Sequence, residues 1–429
     1  MNKAVVLPDS EFPRIVIVGA GFAGLKLAKS LASQDYQVVL IDKNNYHQFQ
    51  PLFYQVATSG IEPSAISFPL RKAFQYMPNV KFRMAELEAV NDKQKIIHTN
   101  IGTISYDKLV LSFGATTNYF GMKDFEEHAI PMKSVSQAIY LRNIILNRFE
   151  QAINEEDPEK LKALMSVVIV GGGPTGVELA GALAEMKRYI LPKDYPDLNA
   201  DYMQIHLVEA NKKLLIGFAD KSTHKTLLYL ENLGVQVHLD THVSAYDGER
   251  IEIGDSWLSV KNLIWAAGIS IPKINGIPES VLARGGRLKV NAFNQVEGQS
   301  DIYAIGDMAY METEKYPNGH PQVAQVAIQQ AINLASNLKS NRKEPSQFKY
   351  VDKGSMATIG RNLAVANLPG LKLHGFVAWC LWLFVHLMSI LGTKNKLFVF
   401  INWMWSYLSY DQSLRLLIKP FIKKEPSKD

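Results

Sequence analysis

Two segments of this chain repeat one unit: a short β-branched run, a glycine-rich turn, a helical stretch and a second apolar run that ends on an acid. The first unit begins at Arg14 and ends on Asp42, and the second begins at Ser166 and ends on Glu209. The glycines of the two turns are Gly19, Gly21 and Gly24 in the first unit and Gly171, Gly173 and Gly176 in the second. Each unit therefore predicts a strand–turn–helix–strand arrangement with parallel strands.

The spacing of these glycines has a chemical purpose. The first allows a tight turn, the second lets the backbone approach a pyrophosphate, and the third lets helix and strand pack closely. The helix N-terminus then offers partial positive charge to the phosphates. Each unit thus predicts a bound dinucleotide, with Asp42 and Glu209 placed to bind ribose hydroxyls. Because an acid repels a 2′-phosphate, Glu209 favours NADH over NADPH, although Lys212 and Lys213 lie close enough to weaken that preference.

The rest of the chain continues the alternation of strands and helices. Apolar runs precede Phe113-Gly114 and Ala267-Gly268, and another, at 301–305, precedes Gly306-Asp307. This alternation predicts an α/β fold whose parallel sheets are wrapped by helices. We expect the charged stretch 154–162 to be a solvated linker and the proline-containing stretch 188–203 to be a surface excursion.

Cysteine content excludes several kinds of site. The chain has 429 residues and one cysteine, Cys380. A disulfide framework, a CxxC redox pair and a cysteine-rich metal site are therefore excluded, and we predict no metal. Cys380 sits among apolar residues and is predicted to be inert packing. The N-terminus lacks a charged region followed by an apolar run, so no secretion signal is expected.

The basic charge of the chain is concentrated in its C-terminal tail. From residue 371 onward eight Lys/Arg face three Asp/Glu, whereas the preceding 370 residues hold 38 of each sign. The tail also holds four of the six tryptophans. A basic, aromatic and apolar tail indicates a membrane surface rather than nucleic acid, for which the chain shows no motif.

The tail offers two ways of meeting a membrane. Residues 375–392 form an eighteen-residue stretch without a formal charge, at the lower limit for a spanning helix, and 397–410 is too short to span. Aromatic residues throughout both stretches, with Lys394 and Lys396 between them, are typical of helices that lie in the interface. We therefore favour monotopic attachment over a spanning helix. A dimer interface formed by the tail is compatible with it.

In its order of motifs the chain resembles the flavoproteins with two dinucleotide-binding domains. Within them it looks like a type II NADH dehydrogenase, the single-subunit NADH:quinone oxidoreductase. The resemblance rests on both fingerprints and on residues 45–58, 113–121, 324–330 and 353–361. Its most specific part is the Ala-Gln-x-Ala-x-Gln pattern at 324–329, and its departure is Phe113, where the family usually has a small or hydroxyl residue. Disulfide and sulfide:quinone reductases need a cysteine pair that this chain lacks.

The resemblance implies FAD, held without a covalent bond, at the first fingerprint and NADH at the second. The residues implied for FAD are Gly19, Gly21, Phe22, Ala23, Gly24, Asp42, Lys43, Gln50, Ala57, Thr58, Ala85, Gly114, Gly306, Asp307, Ala324 and Gln325. Those implied for NADH are Gly171, Gly173, Pro174, Thr175, Gly176, Glu178, Glu209, Ala267 and Gly268. The implied domains are an FAD-binding domain of 1–123 and 291–345, an NADH-binding domain of 124–290 and a membrane-anchoring or dimerisation region of 346–429.

Four residues are candidates for catalysis, and each has a structural alternative. Glu178, predicted in the first helical turn, could complement the helix dipole; the family implies a carboxylate that handles protons for quinone reduction. Gln325 and Gln329 share a helix face and could be a satisfied core pair or contact the quinone headgroup. Lys353 could be an ordinary surface lysine or a cation beside the developing quinol. His47 is not expected to be catalytic.

The resulting hypothesis is a non-proton-pumping NADH:quinone oxidoreductase. NADH reduces FAD, and two electrons then reduce membrane quinone to quinol. The expected partners are the membrane surface, the quinone pool and a second copy of the chain, on the cytoplasmic side of the cell inner membrane. The alternatives are a soluble NADH-dependent flavoprotein reductase with a protein acceptor and a redox sensor that binds FAD and NADH.

Overall fold

The computed structural model describes residues 3–339, 344–410 and 415–417. The chain forms two compact units, each assembled from three segments. Unit 1 comprises Met1–Gln48, Ser67–Asn118 and Gly268–Gly354, and unit 2 comprises Phe49–Ile66, Tyr119–Ala267 and Ser355–Asp429, so far as their residues are described.

The strands and helices are numbered along the whole chain. The strands are β1 Arg14–Val18, β2 Gln37–Asp42, β3 Tyr46–Gln48, β4 Ser67–Pro69, β5 Val80–Met84, β6 Leu87–Asn91, β7 Ile96–Thr99, β8 Gly102–Ser105, β9 Lys108–Leu111, β10 Thr116–Thr117, β11 Ile130–Pro131, β12 Val167–Val170, β13 Ile205–Val208, β14 Val235–His238, β15 Val243–Tyr246, β16 Arg250–Ile253, β17 Ser256–Ser259, β18 Asn262–Trp265, β19 Ile269–Ser270, β20 Leu288–Lys289, β21 Ile302–Ala304, β22 Ala309–Tyr310, β23 Ser355–Gly360, β24 Leu363–Leu368 and β25 Leu371–His374. The α-helices are α1 Phe22–Leu31, α2 Phe53–Ala57, α3 Leu70–Ala73, α4 Lys123–His128, α5 Val135–Ala152, α6 Pro158–Met165, α7 Pro174–Tyr189, α8 Leu191–Asp194, α9 Asp220–Asn232, α10 Ala324–Asn337, α11 Phe376–Ser389 and α12 Thr393–Ser409.

Unit 1 is built on a five-stranded parallel sheet in the order β21-β9-β1-β2-β5. The central strand β1 is buried on both faces, which is why it reads as a continuous β-branched run. Val16 pairs with Val39 on one side and Leu109 on the other. An antiparallel sheet, β6-β7-β8, completes the unit's β-structure beside shorter pairs.

Unit 2 repeats the plan with a five-stranded parallel sheet in the order β11-β18-β12-β13-β14. Its central strand β12 is again fully buried, and Ile169 pairs with Leu207 and Ile264. Two antiparallel sheets, β15-β16-β17 and β23-β24-β25, belong to the same unit, as do the tail helices α11 and α12. The predicted α/β fold with two dinucleotide-type sheets and C-terminal helices is confirmed.

Two local expectations were wrong, and one sheet was not predicted. The stretch 154–162 is not wholly a linker, because α6 begins at Pro158 with the Asp157 side chain capping the N–H of Glu159. The stretch 188–203 contains the short helix α8 and buries Leu191 and Met203, so it is packed onto its unit rather than an excursion. A β-sheet, β23-β24-β25, precedes the tail helices and was not expected.

The limits of the units also differ from the predicted domain limits. The central segment of unit 2 ends at Ala267 rather than at residue 290, and unit 2 also includes Phe49–Ile66. The earlier end has a physical reason: β19 pairs antiparallel with β10, which ties the chain from Gly268 onward to unit 1. The last part of the predicted anchoring region, 411–414 and 418–429, lies outside the described residues. In the part of the chain described, no helix combines the length and apolarity needed to cross a membrane.

Candidate active site

The first glycine turn contains two positions that only glycine can occupy and one that is open. Gly19 has a φ of +97°, and a Cβ there would lie 2.3 Å from the α-carbon of Phe113. A Cβ on Gly24 would lie 1.8 Å from the Gly19 carbonyl oxygen. Gly21 instead has a φ of −68° and caps α1, and a Cβ there would meet no atom within 4 Å. This open space at a helix N-terminus, where backbone N–H groups and the dipole favour an anion, fits a pyrophosphate.

Asp42 binds the backbone of the turn at the end of β2. Its Oδ2 accepts a hydrogen bond from Ala20 N at 2.7 Å, and its Oδ1 accepts one from Asn44 N at 2.7 Å. Burial raises the pKa of Asp42, and these two hydrogen bonds oppose the rise. A carboxylate oxygen can accept more than one hydrogen bond, so each oxygen retains capacity for a ribose hydroxyl.

The second turn has the same geometry. Gly171 has a φ of +113°, and a Cβ there would lie 2.7 Å from Ala266 backbone atoms. A Cβ on Gly176 would lie 1.9 Å from the Gly171 carbonyl oxygen. Gly173 caps α7 with a φ of −73°, and its Cβ position is open to at least 4 Å. This turn therefore also fits a pyrophosphate at a helix N-terminus.

Glu209 reproduces the role of Asp42 after β13. Its Oε2 accepts a hydrogen bond from Gly172 N at 2.6 Å, and its Oε1 accepts one from Asn211 N at 2.9 Å. In both turns the acid thus binds the residue between the first two glycines and the residue two positions after itself. The two sites share one construction, although the acid is Asp in one and Glu in the other.

Gly306, one of the residues implied for FAD, is held by a residue that the sequence analysis missed. Its N–H donates to Gln330 Oε1 at 2.7 Å, and Gln330 is fully buried in α10. Gly306 has a φ of +72°, so glycine is required there. The signal for Gln330 was its place on the buried face of α10, between Val326 and Leu334 at helical spacing. A buried amide in such a stripe needs a polar partner.

Gln325 and Gln329 bind the backbone of the segment that carries Lys353. The Gln325 amide donates to Gly354 O at 2.7 Å and accepts from Lys353 N at 3.1 Å. The Gln329 amide donates to Val351 O at 2.8 Å and accepts from the same residue's N–H at 2.9 Å. Each glutamine amide is therefore satisfied by backbone groups of one segment, but both side chains are half-buried, so they are not the core pair of the structural alternative.

The other residues implied for FAD are divided between the units. Gln50, Ala57 and Thr58 belong to unit 2, and the remainder belong to unit 1. Among the NADH residues, Gly268 belongs to unit 1 and the rest to unit 2. Phe22 packs edge-on against the His47 ring, with centroids 5.5 Å apart, and His47 Nδ1 lies 2.9 Å from Ala20 O. This buried histidine supports the first turn, and burial lowers its pKa.

A cavity of about 540 Å³ lies within unit 2. Its wall is formed by α2, α7, the end of β23 and the tail helices α11 and α12, and most of its surface is apolar or aromatic. The polar and charged residues that line it include Tyr54, Gln55, Thr58, Glu178, Glu185 and Arg361. Thr58 and Glu178 were predicted as site residues, whereas the other four were not.

Glu178 is a buried acid of this cavity. Since α7 begins at Pro174, Glu178 is the fifth residue of the helix, and the expectation that it lies in the first turn was wrong. It is 8% exposed, and its Oε1 accepts a hydrogen bond from Thr358 N at 3.3 Å. Burial raises the pKa of Glu178 to about 8, and the Thr358 N–H opposes this rise. The Trp382 indole N–H also opposes it, although its geometry falls short of a full hydrogen bond. Such a carboxyl exchanges protons near neutral pH.

The tail helices present two surfaces. One face of α12 lines the cavity with residues at helical spacing, namely Phe400, Trp403, Met404, Tyr407 and Leu408. Exposed apolar residues away from the cavity are Leu397, Phe398, Ile401 and Trp405. Cys380 in α11 is exposed and lines the cavity, so its predicted inert packing was wrong.

Hydrogen bonds hold α12 against other elements of unit 2. Trp403 Nε1 donates to Gln55 Oε1 at 2.8 Å, and the Asn395 amide donates to Ala65 O at 3.0 Å. Arg361 Nη1 donates to Tyr407 O at 3.0 Å near the helix end. With a single buried side chain, Val399, the helix depends more on these bonds than on a core of its own.

Comparison with known proteins places the chain in a family. Residues 13–331 match the pyridine nucleotide-disulphide oxidoreductases, and residues 353–409 match the NDH2 C-terminal domain. The type II NADH:quinone oxidoreductase Ndh of Mycobacterium tuberculosis is 35% identical over 94% of this chain and 90% of its own length. The chain belongs to the type II NADH:quinone oxidoreductases.

Other relatives agree with this assignment. A second Mycobacterium tuberculosis enzyme, NdhA, is 31% identical over 92% of this chain and 87% of its own length. The structure of NDH2 from Plasmodium falciparum in complex with NADH matches with a TM-score of 0.86 and 22% identity, covering 95% of this chain and all of that one. The latter likeness supports the fold. Membership of the family implies a quinone acceptor and association with a membrane.

Proposed function

We propose that this chain oxidises NADH and reduces a membrane quinone to quinol, without pumping protons. The observation that carries the proposal is the repetition of one glycine turn and one acid contact in two separate units, which provides for two dinucleotides. Bound FAD would accept hydride from NADH and give two electrons to the quinone. The protein would supply binding, orientation and protons.

FAD is assigned to the turn of unit 1 and NADH to the turn of unit 2. Gly21 and Gly173 leave the backbone open to a pyrophosphate, and Asp42 and Glu209 present acceptors for ribose hydroxyls. Glu209 also disfavours a 2′-phosphate by charge repulsion, which supports NADH as the donor. In unit 1, Gln330 would hold Gly306 in its left-handed conformation, next to Asp307, the residue that the family resemblance implies for FAD.

The cavity of unit 2 is assigned to the quinone. Its apolar and aromatic wall suits a quinone ring and isoprenoid chain, and Thr58, implied for FAD, is among its lining residues. Glu178 would donate a proton to the reduced quinone. Since both amides bind backbone, Gln325 and Gln329 are assigned to holding the segment that bears Lys353 rather than to contacting the quinone.

The test is a separation of the two half-reactions. We expect the purified protein to be yellow, to lose its flavin absorbance when NADH is added without oxygen, and to recover it when a short-chain quinone follows. Acid precipitation should release the flavin into the supernatant. Reduction by NADH with no recovery in quinone would favour a protein acceptor, and absence of turnover with any acceptor would favour a redox sensor.

The exposed residues of α12 are assigned to the membrane surface. We expect Ile401→Glu/Trp405→Glu to lower the affinity for anionic liposomes, measured by sedimentation over a range of lipid concentrations, at least about a hundredfold, because burial of each side chain contributes roughly 1.5–3 kcal/mol. Reduction of flavin by NADH should be unchanged. The control is Trp257→Glu, which changes a 52% exposed tryptophan on β17 of the same unit. Equal sedimentation of the wild type and the double variant would refute the assignment.

Two finer features of the proposal rest on the family resemblance and, for attachment to the membrane, also on the aromatic and basic tail. They are assembly as a homodimer and attachment to the cytoplasmic side of the cell inner membrane as a monotopic protein. The positive excess of the tail would favour the anionic lipids of such a surface.

A further inference from the structure

Helix α7 lies directly against strand β23. A Cβ added to Gly181 would come within 1.6 Å of the Ile359 carbonyl oxygen, so only glycine allows this approach. Glu178 stands three residues before Gly181 and Glu185 four residues after it, which places both acids on the helix face that carries the glycine.

Both acids accept a hydrogen bond from the backbone of β23 or of the residue that follows it. Glu178 accepts a hydrogen bond from Thr358 N, and Glu185 Oε1 accepts one from Arg361 N just beyond the strand. Both carboxyl groups line the cavity assigned to the quinone. Ala182 lies between them on this face and also lines the cavity, so a small side chain separates the two acids.

The surroundings of Glu185 leave it able to exchange protons. Burial raises its pKa, opposed by the Arg361 N–H and charge. The Arg361 guanidinium is itself directed to the carbonyl of Tyr407 and over the ring of Tyr410, with 3.7 Å from Cζ to the centroid. Besides Arg361, the titratable residues that line the cavity with Glu185 include Tyr54 from α2, Glu178 from its own helix, Cys380 from α11 and Tyr407 from α12.

We propose that Glu185 is a second proton-exchanging carboxyl of the quinone cavity, which resupplies Glu178 after each quinone is reduced. This proposal rests on the proposed function. The reaction consumes one NADH, one proton and one quinone and yields NAD⁺ and quinol. The hydride of NADH supplies the two electrons and one of the two protons of the quinol. Glu178 gives the other proton to an oxygen of the reduced quinone and becomes a carboxylate, Glu185 reprotonates Glu178, and the one proton consumed from bulk solvent reprotonates Glu185.

The separation of the two acids sets the route of the proton. Seven helical residues span about 10 Å along the axis, which is too far for a direct hydrogen bond. The proton therefore passes through water held in the cavity, whose volume exceeds that of several water molecules. Glu185 is partly exposed while Glu178 is buried, so Glu185 is the acid nearer to solvent.

The test is Glu185→Gln, which keeps an acceptor for the Arg361 N–H but removes the exchangeable proton. We expect reduction of flavin by NADH to stay within about twofold of wild type. Reoxidation by quinone should slow about tenfold, which is less than the roughly 10²–10⁴-fold effect of a direct general acid or base, because Glu185 acts through a relay. Imidazolium buffer should restore part of the lost rate in the variant without accelerating the wild type. If Glu185 had only a structural role, a small diffusible acid would not restore the reoxidation rate of the variant.

Controls separate the possible outcomes. Glu231→Gln, on an exposed acid of α9, should leave both half-reactions unchanged. The proposal would be overturned if the flavin of the Glu185→Gln protein were reoxidised by quinone at the wild-type rate across pH 6–9. It would also be overturned if both half-reactions slowed equally. Should the glutamine variant fail to fold, Glu185→Asp must retain reoxidation within about threefold, because it keeps a titratable carboxyl. If wild-type flavin is not reoxidised by quinone, the proposed function itself fails.

Discussion

Gly21→Ala is expected to give a folded but colourless protein. Because the Cβ position of Gly21 is open and its φ is negative, alanine fits the backbone without a clash. The added methyl group would occupy the space into which the pyrophosphate must come, so FAD should bind at least about a hundredfold more weakly, roughly 2.7 kcal/mol. The measurement is the flavin content of purified protein, with circular dichroism to confirm the fold.

Two glycine substitutions serve as controls for this result. Gly173→Ala makes the same change in the other turn and should keep the yellow colour while raising the NADH concentration needed for flavin reduction. Gly24→Ala places a methyl group 1.8 Å from a carbonyl oxygen and should destabilise unit 1 itself. A yellow Gly21→Ala protein, or flavin loss in Gly173→Ala instead, would reverse the assignment of the two turns.

Glu178→Gln is expected to slow reoxidation of the flavin by quinone about a hundredfold. Glutamine keeps the acceptor for the Thr358 N–H but cannot donate a carboxyl proton, and general acid catalysis contributes roughly 10²–10⁴-fold. Wild-type reoxidation should fall as pH rises through about 8, since the carboxyl then loses its proton. The reoxidation rate of the Glu178→Gln variant should not fall over this pH range. Stopped-flow measurement of both half-reactions from pH 6 to 9 tests this, and a normal acceptor rate would contradict the role.

The same acid should make the stability of the protein depend on pH. Below its unfolded pKa of about 4.5 the Glu178 carboxyl is protonated in both states and has no effect. Between 4.5 and about 8 the unfolded chain ionises while the folded protein retains the proton, so stability declines as pH rises. The full decline is of the order of 4–5 kcal/mol. We expect denaturant titrations of Glu178→Gln to show a smaller decline over this interval than those of the wild type.

The two glycine turns and their acids could be predicted from the sequence, because each depends on local features. A buried strand, a glycine turn and a helix follow one another directly, and β1 and β12 begin within about a residue of their predicted starts at Arg14 and Ser166. The acids Asp42 and Glu209 end or follow a strand, so their place beside the turn also follows from chain order.

The cavity could not be predicted from the sequence, because its residues come from distant segments. Glu185 lies 176 residues from the N–H that it binds at Arg361. Nothing in the pattern of α7 alone shows that the strand after residue 354 packs on its Gly181 face. The glutamines at 325 and 329 show the same limit: their shared helix face was predictable, but the backbone that occupies their amides was not.

Helix α12 forms part of the cavity wall with one face and carries exposed apolar side chains on its other side. If those side chains lie in lipid, a quinone dissolved in the bilayer reaches the wall of its site without first entering water. The concentration that governs turnover is then the mole fraction of quinone in the lipid, not its amount per volume of solution. Doubling the vesicles at constant total quinone should lower the subsaturated rate by about half once all the protein is bound, although the bulk concentrations of enzyme and quinone are unchanged.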